Sequence, residues 1–367
     1  MTQALRLAAQ GLYTTQPNPR VGCVIVKDQQ LVGEGAHLKA GEAHAEVFAL
    51  REAGAAAKGA TAYVTLEPCN HHGRTPPCVD ALIAAGVARV VVAMQDPNPL
   101  VAGQGIKRLQ AHGVEVVSGL MQAEAIALNP GFIARMTRAL PYVRCKVAAS
   151  LDGRTALKNG LSQWITGEAA RLDVQHWRAQ SCAIITGSGT LLADNPSMTV
   201  RLPHMLRQPL RVIVDSRLQT PPDCQMLSAN MLPASPVLIA YASDAQHKIA
   251  ALTAAGAELL YLPDVETPNT ASSGRVDLRA LLHQLAARGV NEVWVEAGQG
   301  LNGALLAAGL IDEFVFYYAP KLMGSAAHAM FAMPELTNMQ QLTELQILDL
   351  RQFGPDIRLR AKPLVSI

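Results

Sequence analysis

The stretch Thr65-Leu66-Glu67-Pro68-Cys69-Asn70-His71-His72-Gly73-Arg74-Thr75-Pro76-Pro77-Cys78 closes a strand-length apolar run and opens a helical one. Upstream, His44-Ala45-Glu46 stands at the head of another helical run, Ala43 to Ala53. One imidazole and two thiolates, His44, Cys69 and Cys78, make a three-ligand zinc set. Three protein ligands leave the fourth tetrahedral position open to water, as catalytic rather than structural zinc sites do. Glu46, two residues from His44, falls beside that water rather than on the metal. There a carboxylate takes the water's proton and passes it to a departing amine. Singly the pieces say little, since a lone cysteine is usually a small buried apolar residue. Their order, and their placement after strands, implies metal-assisted deamination of an amino-heterocycle. Eight residues, Asn70 to Pro77, separate the cysteines, where the short zinc-deaminase pattern has two. His71 and His72 read as pocket lining rather than ligands, because Cys78 already stands at a helix start.

Around this set, the β-branched runs Val21 to Val26, Ala62 to Leu66 and Val90 to Met94 alternate with helical stretches at Ala43 to Ala53 and Val79 to Ala85. That alternation predicts an α/β domain. Two prolines in Asp96-Pro97-Asn98-Pro99 mark a loop. A helix ending at Arg138 gives way to Ala139-Leu140-Pro141 and a fresh strand, Tyr142 to Ala148, which puts the domain boundary between residues 1–141 and 142–367. Strand-like runs at Cys182 to Thr186, Leu210 to Val214, Val237 to Tyr241, Glu292 to Glu296 and Glu313 to Tyr318 predict a second α/β domain. Thr267 to Arg275 reads as a surface loop.

The 367 residues suffice for two cores, with a hydrophobic fraction of 50% and a charged fraction of 16%. Apolar runs are too short to span a bilayer and the N-terminus lacks the order of a signal peptide, so a cytoplasmic chain is expected. Six cysteines are too sparse for a disulfide scaffold. A net charge of +2 with no basic block argues against a nucleic-acid-binding or editing protein.

The long string from Thr65 to Cys78 resembles the bifunctional deaminase/reductases of riboflavin biosynthesis, the RibD family, as do Pro17-Asn18-Pro19-Arg20-Val21-Gly22 and Asp96-Pro97-Asn98-Pro99. The resemblance continues in Ser150-Leu151-Asp152-Gly153-Arg154-Thr155, Gly189-Thr190-Leu191-Leu192-Ala193-Asp194-Asn195-Pro196 and Trp294-Val295-Glu296-Ala297-Gly298. It implies a cytidine-deaminase-like α/β/α domain followed by a dihydrofolate-reductase-like α/β domain. It also implies zinc held by His44, Cys69 and Cys78, with Glu46 as proton shuttle. The first reaction would deaminate 2,5-diamino-6-(5-phosphoribosylamino)pyrimidin-4(3H)-one, and the second would use NADPH to reduce the ribosyl group to ribityl. The competing expectation is a deaminase alone, whose C-terminal half binds a nucleotide for regulation. A homo-oligomer associating through the reductase half is also implied.

Gly298-Gln299-Gly300-Leu301-Asn302-Gly303 follows a strand and opens a helix, the literal pattern of pyrophosphate binding. It lies about 150 residues into its domain, whereas a Rossmann fingerprint opens the first βα unit. The dihydrofolate-reductase-like fold that the resemblance implies is therefore preferred over a Rossmann domain. By resemblance, Ala148, Trp164, Thr190, Asp194, Ser216 and the loop Gly298 to Ala304 fall on cofactor positions, and Ser162, Arg178, Met198, Arg201 and Glu296 on substrate positions. Arg178 and Arg201 are the expected phosphate clamps, with Ser162 donating to the same group. Ser216 and, as an extension, Arg217 suit a 2′-phosphate. Trp164 has a rival reading as core filling; Trp177 and Trp294 read as core. The proton of the reduction is left to Asp194, Glu296 or a water, with Asp194 the hypothesis suggested by its place in the loop Gly189 to Pro196.

Overall fold

A computed structural model of the chain describes residues 1–70, 76–99, 101–205, 207–228, 235–264 and 274–364. They fall into two compact units, Met1–Leu140 and Pro141–Ile367. Among the described residues no helix is long and apolar enough to cross a membrane. Of the loop expected at Thr267 to Arg275, only Gly274 and Arg275 lie within the described residues.

The first unit runs α1 (Thr2–Ala9), β1 (Gly22–Lys27), β2 (Gln30–Ala36), α2 (Ala45–Ala53), β3 (Thr61–Val64), α3 (Cys78–Ala84), β4 (Arg89–Val92), α4 (Gln104–Ala111), β5 (Glu115–Ser118), α5 (Gln122–Leu128) and α6 (Pro130–Arg138). One sheet takes the order β2-β1-β3-β4-β5, antiparallel across β2, β1 and β3 and parallel from β3 to β5. Side chains alternate across β1 with period two. Cys23 and Ile25 join the core that holds Ala45 and Ala49 of α2 with Val79 and Leu82 of α3, while Val24 packs with Ala4 and Leu7 of α1. Both faces are thereby covered by helices.

The approach of α2 to β2 is close enough to exclude any side chain between them. A Cβ on Gly35 would stand 2.3 Å from the Ala45 carbonyl oxygen, and one on Gly33 would stand 2.2 Å from that of Ala49. This contact fixes the start of α2, where His44 is the N-cap and Glu46 lies in the first turn.

The second unit runs β6 (Tyr142–Ser150), β7 (Arg154–Ala156), α7 (Glu168–Gln180), β8 (Ala183–Gly187), α8 (Ser188–Asp194), β9 (Leu210–Val214), β10 (Val237–Tyr241), α9 (Gln246–Ala254), β11 (Glu258–Tyr261), α10 (Leu278–Ala287), β12 (Glu292–Glu296), α11 (Gln299–Ala307), β13 (Glu313–Ala319), β14 (His328–Ala329), β15 (Leu345–Phe353) and β16 (Asp356–Pro363). Nine strands form a sheet in the order β11-β10-β9-β8-β12-β6-β13-β16-β15. It is parallel from β11 to β13, with β16 and β15 antiparallel at one edge. The near-continuous burial of β8, β10 and β12 is the mark of parallel strands covered on both faces. The glycine-rich turn follows β12, which sits mid-sheet between β8 and β6. This agrees with the preference against a Rossmann first unit.

At the N-terminal ends of β6, β12 and β13, Arg144 is buried between Glu292 and Glu313, with its Nε 3.0 Å from Glu313 Oε2. Arg360 Nε reaches Glu313 Oε1 at 2.6 Å. These charges tie three neighbouring strands at one end of the sheet. The opposite, C-terminal ends are where polar groups gather.

Gly35→Ala adds only the methyl that meets the Ala45 carbonyl. Overpacking of this kind is expected to destabilise the first unit by about 1–3 kcal/mol, read as a lower urea midpoint at unchanged m-value.

Candidate functional site

Three element ends of the first unit converge. His44 caps α2, Cys69 follows β3, and Cys78 is the first residue of α3. His44 Nδ1 lies 3.2 Å from Cys78 Sγ and 3.5 Å from Cys69 Sγ. The three candidate ligand atoms all lie within 4.8 Å of one another. The Cys78 amide also donates to Cys69 Sγ at 3.3 Å. A hydrogen bond from Cys78, helped by one from His44, pushes the Cys69 thiol well down. The same bond, together with burial, pushes Cys78 up. A ready thiolate beside an imidazole is donor chemistry that suits zinc.

Glu46 completes the cluster without joining the donor set. Its side chain is buried, and Oε2 has no hydrogen-bond partner. Burial, ahead of the neighbouring Cys69 charge, pushes its carboxyl up to about 7. An unpartnered buried carboxylate oxygen beside three converging ligands fits a metal with water in its coordination sphere. His71 and His72 lie outside the described residues.

Sequence reasoning missed His37. It is buried, its ring meets His44 edge-on at 5.4 Å, and its Nε2 is 3.1 Å from Asn18 Nδ2. The signal available was the Asn18 motif, whose partner is not readable from spacing.

In the second unit a cleft of about 1060 Å³ opens at the C-terminal ends of β6, β8, β9 and β12. Such strand ends are where open α/β sheets take ligands. Ala148, Trp164, Thr190, Asp194, Ser216, Gly298, Gln299, Gly300, Leu301 and Ala304 all line it, as do Ser162, Arg178, Met198, Arg201 and Glu296. Trp164 is 65% exposed, with the Arg171 guanidinium 4.6 Å from its ring centroid, so core filling does not describe it.

Asn302 and Gly303 are not among the cleft-lining residues. Asn302 is buried, its Nδ2 donating to the carbonyls of Ala297 and Met330 at 3.1 and 3.3 Å. A Cβ on Gly303 would stand 2.1 Å from the Ala332 carbonyl oxygen. The last glycine of the motif thus serves helix packing, and only its first part faces the cleft.

Arg178, expected as a phosphate clamp, is paired with a carboxylate at the cleft. Its Nε and Nη2 meet Glu296 Oε1 and Oε2 at 2.5 and 2.9 Å, and its Nη1 donates to the Thr199 carbonyl at 2.9 Å. With its charge matched by a buried carboxylate, the fork is already engaged. Arg201 is exposed and has no acidic partner among the described residues.

Glu296 is the hub of the cleft floor. Lys146 Nζ stands 3.9 Å from Oε2, and the Trp294 indole donates to Oε1 at 2.8 Å. Burial alone would push this carboxyl up. The charges of Arg178 and Lys146 outweigh it and hold the group at about 2. Burial in turn lowers the Lys146 ammonium. Lys146 was missed, although a lysine inside the apolar strand Tyr142 to Ala148 was a visible signal. Trp294 is core, as expected, yet its indole N–H has a polar task. Asp194 Oδ1 accepts from Ser162 Oγ at 3.3 Å.

Two family models match. The cytidine and deoxycytidylate deaminase zinc-binding region covers residues 1–94, and the RibD C-terminal domain covers residues 141–359. Riboflavin biosynthesis protein RibD of Escherichia coli is 49% identical over 369 residues, 97% of this chain and 96% of that protein. A solved structure of Acinetobacter baumannii RibD is 47% identical, with a TM-score of 0.89, covering 99% of this chain and 98% of that one. A Thermotoga maritima diaminohydroxyphosphoribosylaminopyrimidine deaminase/5-amino-6-(5-phosphoribosylamino)uracil reductase is 31% identical, with a TM-score of 0.84, covering 99% and 97%. With likeness extending through both units and nearly end to end, this chain belongs to the RibD family of riboflavin biosynthesis, joining a zinc-binding deaminase domain to a reductase domain.

Proposed function

We propose that the chain carries out two successive steps on one phosphoribosyl-pyrimidine, deamination in the first unit and reduction in the second. The observation that carries the first step is the convergence of His44, Cys69 and Cys78 beside the buried Glu46 carboxylate, whose Oε2 has no partner. His44, Cys69 and Cys78 would hold zinc, whose Lewis acidity makes water a nucleophile at neutral pH. Glu46 takes a proton from the attacking water and delivers it to the leaving amine, so that the ring C–NH₂ and water become a ring carbonyl and ammonia. A buried carboxyl lifted to about 7 is suited to both halves of that transfer. The substrate is 2,5-diamino-6-(5-phosphoribosylamino)pyrimidin-4(3H)-one.

In the second unit the glycine-rich start of α11, with the amides at the start of α8, would receive the phosphates of NADPH. Ser216 and Arg217, just past the end of β9, would take its 2′-phosphate. Bound NADPH supplies the hydride that reduces the ribosyl carbon to ribityl. Arg201 and Ser162 would bind the substrate phosphate, with Met198 packing beside them. Arg178 holds Glu296 in place. Lys146 carries the readiest proton of the cleft floor, its ammonium destabilised by burial, and we assign it the protonation step in place of Asp194.

A homo-oligomer is also proposed. β15 is an open sheet edge on which Leu345, Ile347, Leu348 and Leu350 are exposed, and an edge of this kind invites pairing. Sedimentation velocity is expected to show a dimer or larger species that Ile347→Asp with Leu350→Asp dissociates to monomer; an unchanged wild-type and variant profile would reject that edge.

Glu46→Ala is expected to abolish ammonia release while stoichiometric zinc is retained, because Glu46 is not a ligand; metal analysis alongside an ammonia assay checks both. Mixing the protein with the deaminated intermediate and NADPH should consume cofactor absorbance, which a regulatory nucleotide site would not do. In that assay Arg217→Met should raise KM for NADPH about tenfold and leave KM for NADH unchanged, the loss of one charge-assisted phosphate contact.

A further inference from the structure

The two cysteines stand nine positions apart, and that spacing poses a mechanical problem. When two residues separate a pair of thiolates, one tight turn sets the distance between the sulfurs. With eight, the covalent chain no longer does so. The Val79 amide donates to the Cys69 carbonyl at 3.3 Å and the Cys78 amide to Cys69 Sγ at 3.3 Å, and the residues at either end of the spacer show what adds to these two bonds. Arg108, on α4, donates from Nη1 to Asn70 Oδ1 at 2.8 Å and pairs through Nη2 with Asp80 Oδ1 at 2.5 Å. Asn70 directly follows Cys69, and Asp80 lies two residues beyond Cys78. One planar fork thus closes the spacer from outside.

The helix that carries Arg108 is itself anchored to the residues before Cys69. The buried Glu67 carboxylate accepts four backbone N–H groups: Asp96 at 3.1 Å and Gly103 at 2.9 Å on Oε2, Gly105 at 2.9 Å and Ile106 at 3.2 Å on Oε1. A Cβ on Gly105 would stand 2.3 Å from the Pro68 carbonyl oxygen, so α4 lies directly against the Glu67-Pro68-Cys69 backbone. None of these groups reaches a ligand atom.

We infer that α4 is the backing of the metal site and that Arg108 is a positioning residue, reinforcing the separation of Cys69 and Cys78 by stapling Asn70 to Asp80. This rests on the reading of His44, Cys69 and Cys78 as zinc ligands. The Arg108–Asp80 pair is partly exposed and, taken alone, adds little stability. Its effect lies in the preorganisation of the ligands, where loss of an outer partner typically costs 10- to 100-fold in metal affinity. The lower end applies here because Arg108 bonds to Asn70 and Asp80 rather than to a ligand itself.

The test uses the zinc-loaded full chain and reads the rate of zinc transfer to a chromophoric chelator, together with the visible spectrum of the Co²⁺-substituted protein. Arg108→Met should release zinc about tenfold faster and broaden the Co²⁺ ligand-field bands, with Arg108→Lys intermediate. Asp80→Asn combined with Arg108→Met should release zinc no faster than Arg108→Met alone, because both cut the same staple. Should Arg108→Met fail to fold, Arg108→Lys and Asp80→Asn carry the same readout. Wild-type release rate and spectrum in these variants, or fully additive effects, would overturn the inference while the metal site stands. A wild-type chain that takes up no stoichiometric zinc or cobalt would overturn the metal site and this inference with it.

Discussion

Burial of the Glu46 carboxylate with no partner for Oε2 is the constraint around which the first unit is arranged. An unsatisfied buried polar atom costs about 1–3 kcal/mol, and a free side chain would turn toward solvent to avoid it. Glu46 has no such freedom. It lies in the first turn of α2, and α2 is pressed on β2 at Gly33 and Gly35. The packing that buries the carboxylate also lifts its pKa to about 7, where a carboxyl group is suited to both taking and giving a proton. Packing of glycines several residues away is thus the origin of the site's chemistry.

Glu296 is largely, though less deeply, buried and is held in the opposite state. Arg178 forks onto both its oxygens, Lys146 stands behind it, and the Trp294 indole donates to Oε1. Trp294 stacks on Trp177 with ring centroids 5.5 Å apart and 3° between planes, and Trp177 Nε1 donates to Asp173 Oδ2 at 3.3 Å. Asp173 Oδ2 in turn accepts from Arg358 at 2.9 Å. The carboxylate therefore takes its orientation from a chain of contacts that crosses the core. Two carboxylates removed from water thus end as a group lifted to about 7 in one unit and a fixed negative charge in the other; the partners decide.

The contrast explains what was legible in the sequence. His44, Glu46 and Cys78 stand at the starts of helices and Cys69 in the loop after β3, elements whose type follows from local periodicity, and the role proposed for each follows from its own chemistry. Strand limits at Leu210–Val214, Val237–Tyr241 and Glu292–Glu296 were equally readable, since continuous apolar runs bounded by polar turns admit few alternatives. The pairing of Arg178 with Glu296 was not legible, because the partner is 118 residues away in sequence and no local signal marks it. Lys146 was passed over because an apolar strand read as core hides a single inward cation. In the motif Gly298 to Gly303, the string alone cannot tell glycines that face a ligand from one that faces a backbone carbonyl. Only the position of Ala332 separates them.

The nine-stranded sheet makes a division of labour possible that the smaller sheet does not need. Arg144, Glu292, Glu313 and Arg360 bind the N-terminal ends of β6, β12 and β13 with buried charge. A buried ion set of this kind is weak support for stability in itself, yet breaking it by removing one member is costly. It therefore penalises any slip in register among these strands, because a slip would part opposite charges in a dry interior. Register fixed at one end is carried along the strands to the other, where Lys146 of β6 and Glu296 of β12 end up paired in the ladder as well as through their side chains. The cleft can then be built from glycines and short polar loops, which are poor at fixing strand register, because the opposite end of the sheet already fixes it.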